Sequence, residues 1–205
     1  MTISTKTLPQ GYGPSGEIDL GKNKKLAIIL YIIAFLVTVL SFYLLAGFAA
    51  LMRPGLMTSS GSITLTMGVI LLGLGIILMT VHELIHGAFF WVFTRNRPVF
   101  GVHLLYAFAG APAWYIPIRQ YALVTLGPLV IIGVAGMLFM LIVPESWILT
   151  IIILVALNTG GAMGDFLVFT RLFKLPQTCL ANDSGDVVTF YEPALPSSVP
   201  DSERK

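Results

Sequence analysis

The sequence predicts an all-α membrane protein: four transmembrane helices, with a β-hairpin dipping toward the membrane between the second and the third. Three observations predict it. The chain is 56% hydrophobic and only 11% charged, against about 25% charged residues in an ordinary soluble domain. Four apolar segments reach the length needed to cross a hydrocarbon core, about 20 residues of helix. Basic residues gather at alternate connections between those segments, which is the pattern that fixes orientation in a bilayer.

Residues 1–25 are polar and carry Pro9, Gly11, Gly13, Pro14 and Gly16, so they are expected to form a flexible cytoplasmic tail. The apolar segments run from Leu26 to Met52, Ile63 to Phe93, Tyr121 to Val143 and Trp147 to Phe169. No small-residue cleavage pattern closes the first, which is too long for a signal h-region, so it is expected to be retained. Arg53-Pro54-Gly55 separates the first two segments and Pro144-Glu145-Ser146 the last two. Lys22, Lys24 and Lys25, then Arg95, Arg97 and Arg119, then Arg171 and Lys174 lie at the other ends. The positive-inside rule therefore places both termini and the central loop in the cytoplasm, with Arg53 outvoted. The expected organisation is one four-helix domain over residues 26–176 in the cell membrane, followed by a cytoplasmic tail over 177–205. Val187 to Tyr191 could form a short strand in that tail, and residues from Pro193 onward are expected to be disordered.

The central loop alternates apolar residues on both sides of Gly110-Ala111-Pro112: Val102, Leu104, Tyr106 and Phe108 before it, Trp114, Ile116 and Ile118 after it. That pattern suggests a hairpin whose free edge could take a substrate segment as an added strand. An interfacial aromatic anchor explains the same residues equally well. In the third segment, Gly127-Pro128 is expected to loosen the helix near its cytoplasmic end.

The chemistry is concentrated in the second segment. His82-Glu83-Leu84-Ile85-His86 reads H-E-x-x-H inside an otherwise apolar run, and two of the three histidines in the chain are in it. On a helix, residues four apart share a face one turn apart, so the two imidazoles can share one metal ion. Glu83 stands beside that axis, where a carboxylate can take a proton from zinc-bound water. Core histidines paired to neighbours are the bland alternative, but ionisable side chains within hydrocarbon-like sequence are costly and usually functional.

Depth points to Asp165 as the expected third ligand, with interhelical hydrogen-bond glue as its alternative. His86 lies nine residues before Arg95, and Asp165 six before Arg171. At about 1.5 Å rise per residue these are about 13 Å and about 9 Å from the cytoplasmic markers. Glu83 aside, Asp165 is the carboxylate of the spans, and no Lys or Arg is placed there to pair with it. Asn158, Gly161 and Asp165 fall on one helical face. Gly160, Gly161 and Gly164 would let this helix approach the second closely. Asn158 is either interhelical hydrogen-bond glue or a contact to substrate or to a developing oxyanion. His103, the rival third ligand, follows His86 at a spacing that matches no zincin pattern. His, His and carboxylate favour Zn2+ among divalent ions.

HELIHG in the second segment and NTGGAMGD in the fourth resemble the intramembrane zinc metalloproteases of the site-2 protease type. Compact size, four predicted spans and the Gly-Gly-x-x-Gly-Asp run resemble more closely a family of small membrane zincin peptidases, over roughly residues 60 to 190. The resemblance implies His82, His86 and Asp165 as zinc ligands and Glu83 as general base. In this chain the Pro usual in the site-2 motif is absent between Asn158 and Asp165, and the Gly precedes Asp165 instead of following it.

The function expected is hydrolysis of peptide bonds in membrane-associated proteins or peptides, close to the cytoplasmic side. The alternative is a non-catalytic membrane scaffold or assembly factor with a structural zinc. A metal or proton conduit ranks last, because the outer halves of the spans hold little polar sequence beyond Thr64 and Thr66. A lipid-directed hydrolase uses the same groups. The net charge of +2 is small and its basic residues scattered, so nucleic acid is not an expected partner. The single Cys179 excludes an internal disulfide.

Overall fold

The computed structural model describes residues 3–54, 64–102 and 107–194. It is mostly helical. Strand β1 (Tyr12–Asp19) leads into α1 (Lys24–Met52) and α2 (Leu65–Thr94). Strands β2 (Val99–Val102), β3 (Ala107–Gly110) and β4 (Ile116–Pro117) precede α3 (Ile118–Ile142). Helices α4 (Glu145–Gly161) and α5 (Met163–Leu172) are followed by β5 (Leu180–Asp183) and β6 (Val187–Pro193). By length and apolar composition α1, α2 and α3 can each cross a membrane, and α4 with α5 makes a fourth candidate broken by a 44° bend.

The helix ends follow from local chemistry. Asn23 Oδ1 accepts the Leu26 N–H at the start of α1, and Thr64 Oγ1 accepts the Met67 N–H at the start of α2. Arg95 closes α2 in the left-handed conformation (φ 55°), its N–H returning to Trp91 O. The Arg53 guanidinium donates to the carbonyls of Met140 and Val143. This basic residue, expected to be outvoted in the orientation rule, therefore covers carbonyls at the C-terminal end of α3.

The fourth apolar segment is not one straight helix. It bends at Ala162, whose N–H reaches both Asn158 O and Gly160 O. Two consecutive glycines lower the cost of leaving helical geometry there. Asn158 and Asp165, expected on one helical face, lie on either side of the bend and still both reach His82. The glycines also act differently from expectation. A Cβ on Gly160 would collide with Thr38 Oγ1 and stand 2.6 Å from Ala34 O, so the close approach is to α1 and not to α2. Gly161 and Gly164 have open space where a Cβ would be. The α2–α3 approach is set instead at Gly127, over which the Phe89 ring lies. Helix α3 runs unbroken through Pro128.

At the end of the bundle where α2 and α5 finish and α1 and α3 begin lies a four-stranded antiparallel sheet, in the order β1-β6-β5-β4. Glu17 pairs with Thr189, Ala181 with Phe190 and Ile116 with Ala181. Thr5 adds a bridge to Tyr115 through two backbone hydrogen bonds of 3.1 and 2.8 Å. Ile116, Cys179, Leu180, Ala181 and Phe190 are almost fully buried, with Phe90, Tyr121 and Val124 in the same core region. Residues 12–19 are thus a paired strand and not a loose tail. Apolar, β-branched and aromatic Val187-Val188-Thr189-Phe190-Tyr191 makes β6 a strong strand, and its ladder orders a Gly- and Pro-containing partner with little propensity of its own. Of the residues expected to be disordered, Pro193 pairs with Tyr12 and Ala194 N–H donates to Gly11 O, both held by the β1–β6 ladder, whereas 195–205 lie outside the described residues.

The central loop does form a hairpin, but with a different turn. Strands β2 and β3 pair with Phe100 opposite Ala109, so Gly110-Ala111-Pro112 is not the turn; the residues between the two strands, 103–106, lie outside the described residues. Gly110-Ala111-Pro112 leads out of the hairpin instead. Ala111 N–H donates to Asp183 O, and Asn182 Nδ2 donates to Pro112 O and Trp114 O. These bonds take Ile116 to β5 and away from the hairpin. Phe100 packs over Gly87 of α2, and Phe108 lies between Gly101 and Gly185. The hairpin is thereby pinned to both the helical bundle and the sheet.

Candidate metal centre

Helix α2 presents His82 and His86 one turn apart, and the bend at Ala162 brings Asp165, in the first turn of α5, to them. His82 Nε2 is 3.1 Å from Asp165 Oδ2, His86 Nε2 is 3.4 Å from Asp165 Oδ1, and the two Nε2 atoms are 3.2 Å apart. Potential ligand atoms of all three residues lie within 4.8 Å of one another. Among the described residues Glu83 does not belong to this group, and His103, the rival ligand, lies outside them.

The other ring nitrogens decide what the group can do. His86 Nδ1 is 2.9 Å from the backbone carbonyl of Val124. A carbonyl only accepts, so Nδ1 carries the hydrogen and Nε2 keeps a lone pair. His82 Nδ1 is 2.9 Å from Asn158 Oδ1, which assigns the same tautomer. When both rings are neutral, two imidazole lone pairs and a carboxylate then face one another. Three Lewis bases held this way are mutually repulsive unless a cation lies among them. The donor set therefore fits a divalent metal, and each ligating imidazole has the outer hydrogen-bond partner that metal-bound histidines require. Asp165 is the exposed side of the cluster: its side chain is 29% accessible, against 12% and 8% for His82 and His86.

Glu83 is half-buried on the hairpin side of α2, its carboxylate turned to the backbone N–H of Ala109. Ala111 N–H, two residues along the same side of the strand, donates to Asp183 O. Both N–H groups point away from β2. The edge of β3 away from β2 thus runs past Glu83.

Asn158, expected as interhelical glue or as a substrate or oxyanion contact, is buried beside His82. It is 6% exposed, its Oδ1 is taken by His82, and its Nδ2 is buried without a hydrogen-bond partner among the described residues. The residue was legible as polar and on the site's helix, but not which ring it would hold. Val124 was illegible, because it acts through its carbonyl and its side chain carries no signal.

A second polar pair lies next to the site. Tyr121 OH donates to Asp183 Oδ2 at 2.6 Å, and Gly185 N–H donates to Asp183 Oδ1 at 2.7 Å. With the Ala111 bond, Asp183 ties α3, the β5–β6 turn and the exit of the hairpin together. Burial pushes its carboxyl from the ordinary 3.8 to about 6, although the Tyr121 hydroxyl and the Gly185 N–H pull the other way. The pKa is raised on folding. The associated stability is therefore complete below about pH 4 and is lost as pH rises through about 6, up to about 3 kcal/mol. Asp183→Asn is expected to remove that slope. Thermal unfolding in detergent should show the variant gaining on wild type between pH 4.5 and 7, and a constant difference would refute it.

A family described as "Putative zincin peptidase" matches residues 75–180, which contain every residue of this centre. No curated protein and no solved structure matches the chain.

Proposed function

The chain belongs to that zincin peptidase family, and from this premise we propose that it is a membrane-embedded zinc metalloprotease acting on peptide bonds of membrane-associated substrates near the cytoplasmic side. The observation that carries the reading is the convergence of His82 Nε2, His86 Nε2 and the Asp165 carboxylate, with both Nδ1 atoms engaged and Glu83 beside them but uncoordinated.

Support for a membrane setting comes from the helix surfaces. Tyr31, Phe35, Leu36 and Leu44 of α1 and Val69, Leu72, Ile76 and Ile77 of α2 are all exposed. Water gives such a surface no partner, and lipid does. Support for sidedness comes from charge: Lys24, Arg95, Arg119 and Arg171 mark the helix ends nearest the sheet. The histidines of α2 lie near that end, within reach of water.

His82, His86 and Asp165 would hold the zinc, and its exposed side lies at Asp165. Bound there, zinc supplies a Lewis acid that acidifies water and polarises a carbonyl. Glu83 accepts a proton from the attacking water and returns it to the leaving amine nitrogen. The edge of β3 beside Glu83 is where an extended substrate segment would align, since a helical substrate keeps its carbonyls in its own hydrogen bonds. Asn158 holds His82, and the hairpin anchored by Phe100 and Phe108 holds that edge. The site-2 likeness rests on the same ligand set, without the Pro of that motif.

The test is metal removal. Protein purified in detergent should carry close to one zinc per chain and cleave an unwound transmembrane peptide. A chelator should abolish cleavage and added zinc should restore it. Zinc with no cleavage of any membrane peptide would favour the structural-zinc scaffold, and no zinc in folded protein would end the metallopeptidase reading.

A further inference from the structure

The Val124 carbonyl that receives His86 is available for a reason written four residues later. In an α-helix the carbonyl of residue i accepts the N–H of residue i+4. For Val124 that residue is Pro128, which has no N–H. The helix continues through this position, from Ile118 to Ile142, with one carbonyl left without its helical donor. A buried backbone carbonyl needs a partner, and Val124 and Pro128 are both almost completely buried. His86 Nδ1, 2.9 Å away, is that partner. The residue before the proline completes the arrangement. Gly127 has no side chain, and the Phe89 ring of α2 occupies the place a Cβ would take. Phe89 follows His86 by three residues on α2, so the close approach that Gly127 permits also brings the imidazole to the α3 backbone.

We propose that Gly127-Pro128 is a positioning device for the metal centre: Gly127 lets α2 against α3, and Pro128 frees the Val124 carbonyl to fix the tautomer and ring orientation of His86. The inference rests on the zinc reading and deepens it. It gives a role to a dipeptide that otherwise reads as a helix defect. The cost of the defect falls on helix stability, and the benefit falls on ligand geometry, so the two can be separated.

Pro128→Ala restores the missing N–H and sets it in competition with His86 for the same carbonyl. Apo-protein thermal unfolding and zinc affinity by chelator competition, both on the full chain in detergent, read the two effects. The expected result is an apo melting temperature at or above wild type together with zinc affinity lowered about 10-fold, the lower end of what loss of an outer-shell partner costs. A merely structural proline moves stability alone. Pro128→Gly also supplies the N–H and should lower zinc affinity in the same way, which keeps the test decisive if the alanine variant repacks. Wild-type zinc affinity in both variants would overturn the inference and leave the zinc reading standing. Absence of zinc uptake by the wild type would overturn both.

Discussion

Asp165→Ala is expected to strip zinc from the purified protein while leaving the helical bundle folded. Asp165 supplies the only negative charge among the three convergent ligands. Without it, two neutral imidazole nitrogens 3.2 Å apart remain, each still tied to its acceptor. Two ligands on one helix do not enclose a tetrahedral ion, and the charge that attracted it is gone. The loss should exceed the 10–100-fold that removal of an outer-shell partner costs. Metal content by elemental analysis is the measurement, with His103→Ala alongside as the variant expected to keep its zinc. Fold should survive, because Asp165 is the most exposed of the three and the α4–α5 bend is set by Ala162, the glycines and α1. If Asp165→Ala retained zinc, the depth argument and the cluster would both be wrong.

Glu83→Gln is expected to separate binding from chemistry. The amide keeps the size of the carboxylate and can still accept the Ala109 N–H through its oxygen. Glu83 is outside the ligand cluster, so zinc content should equal wild type. Hydrolysis should fall by about 10²–10⁴-fold, the usual contribution of a positioned proton acceptor. Single-turnover cleavage of a membrane peptide, with zinc measured on the same sample, would decide it. An unchanged rate would remove Glu83 from the mechanism, and a matching loss of zinc would mean that it ligates.

These predictions rest on residues that differ in how far the sequence exposed them. His82, Glu83 and His86 were legible because helical spacing is rigid: a four-residue step fixes both faces and distances. Asp165 was legible because carboxylates are rare in apolar helices, so one at matching depth stands out. The bend between Asn158 and Asp165 was not, since Gly160-Gly161 reads equally as a packing surface or as a break, and only α1 packing against Gly160 selects between them. Long apolar helices announced themselves, whereas β1 did not. Tyr12–Asp19 contains two glycines and a proline, and its strand character is lent by β6. The hairpin was legible as alternation, but its turn was misplaced, because the side-chain bonds of Asn182 and the backbone of Asp183 redirect the segment after Gly110. Non-local backbone contacts leave no pattern in local sequence.

The pairing of β1 with β6 also bears on how the protein is made. The ladder joins Tyr12 to Pro193 and Asp19 to Val187, so every described helix lies between the two paired strands. Synthesis proceeds from the N-terminus, so β1 emerges first and waits, unpaired, while every helix is produced. The sheet closes only after β6 has left the ribosome. Until then the hairpin exit lacks Asp183, and the edge beside Glu83 is not held in place. Completion of the sheet thereby waits for β6, and a chain cut short before it would carry His82, His86 and Asp165 without the strand that holds β1 and β5 together.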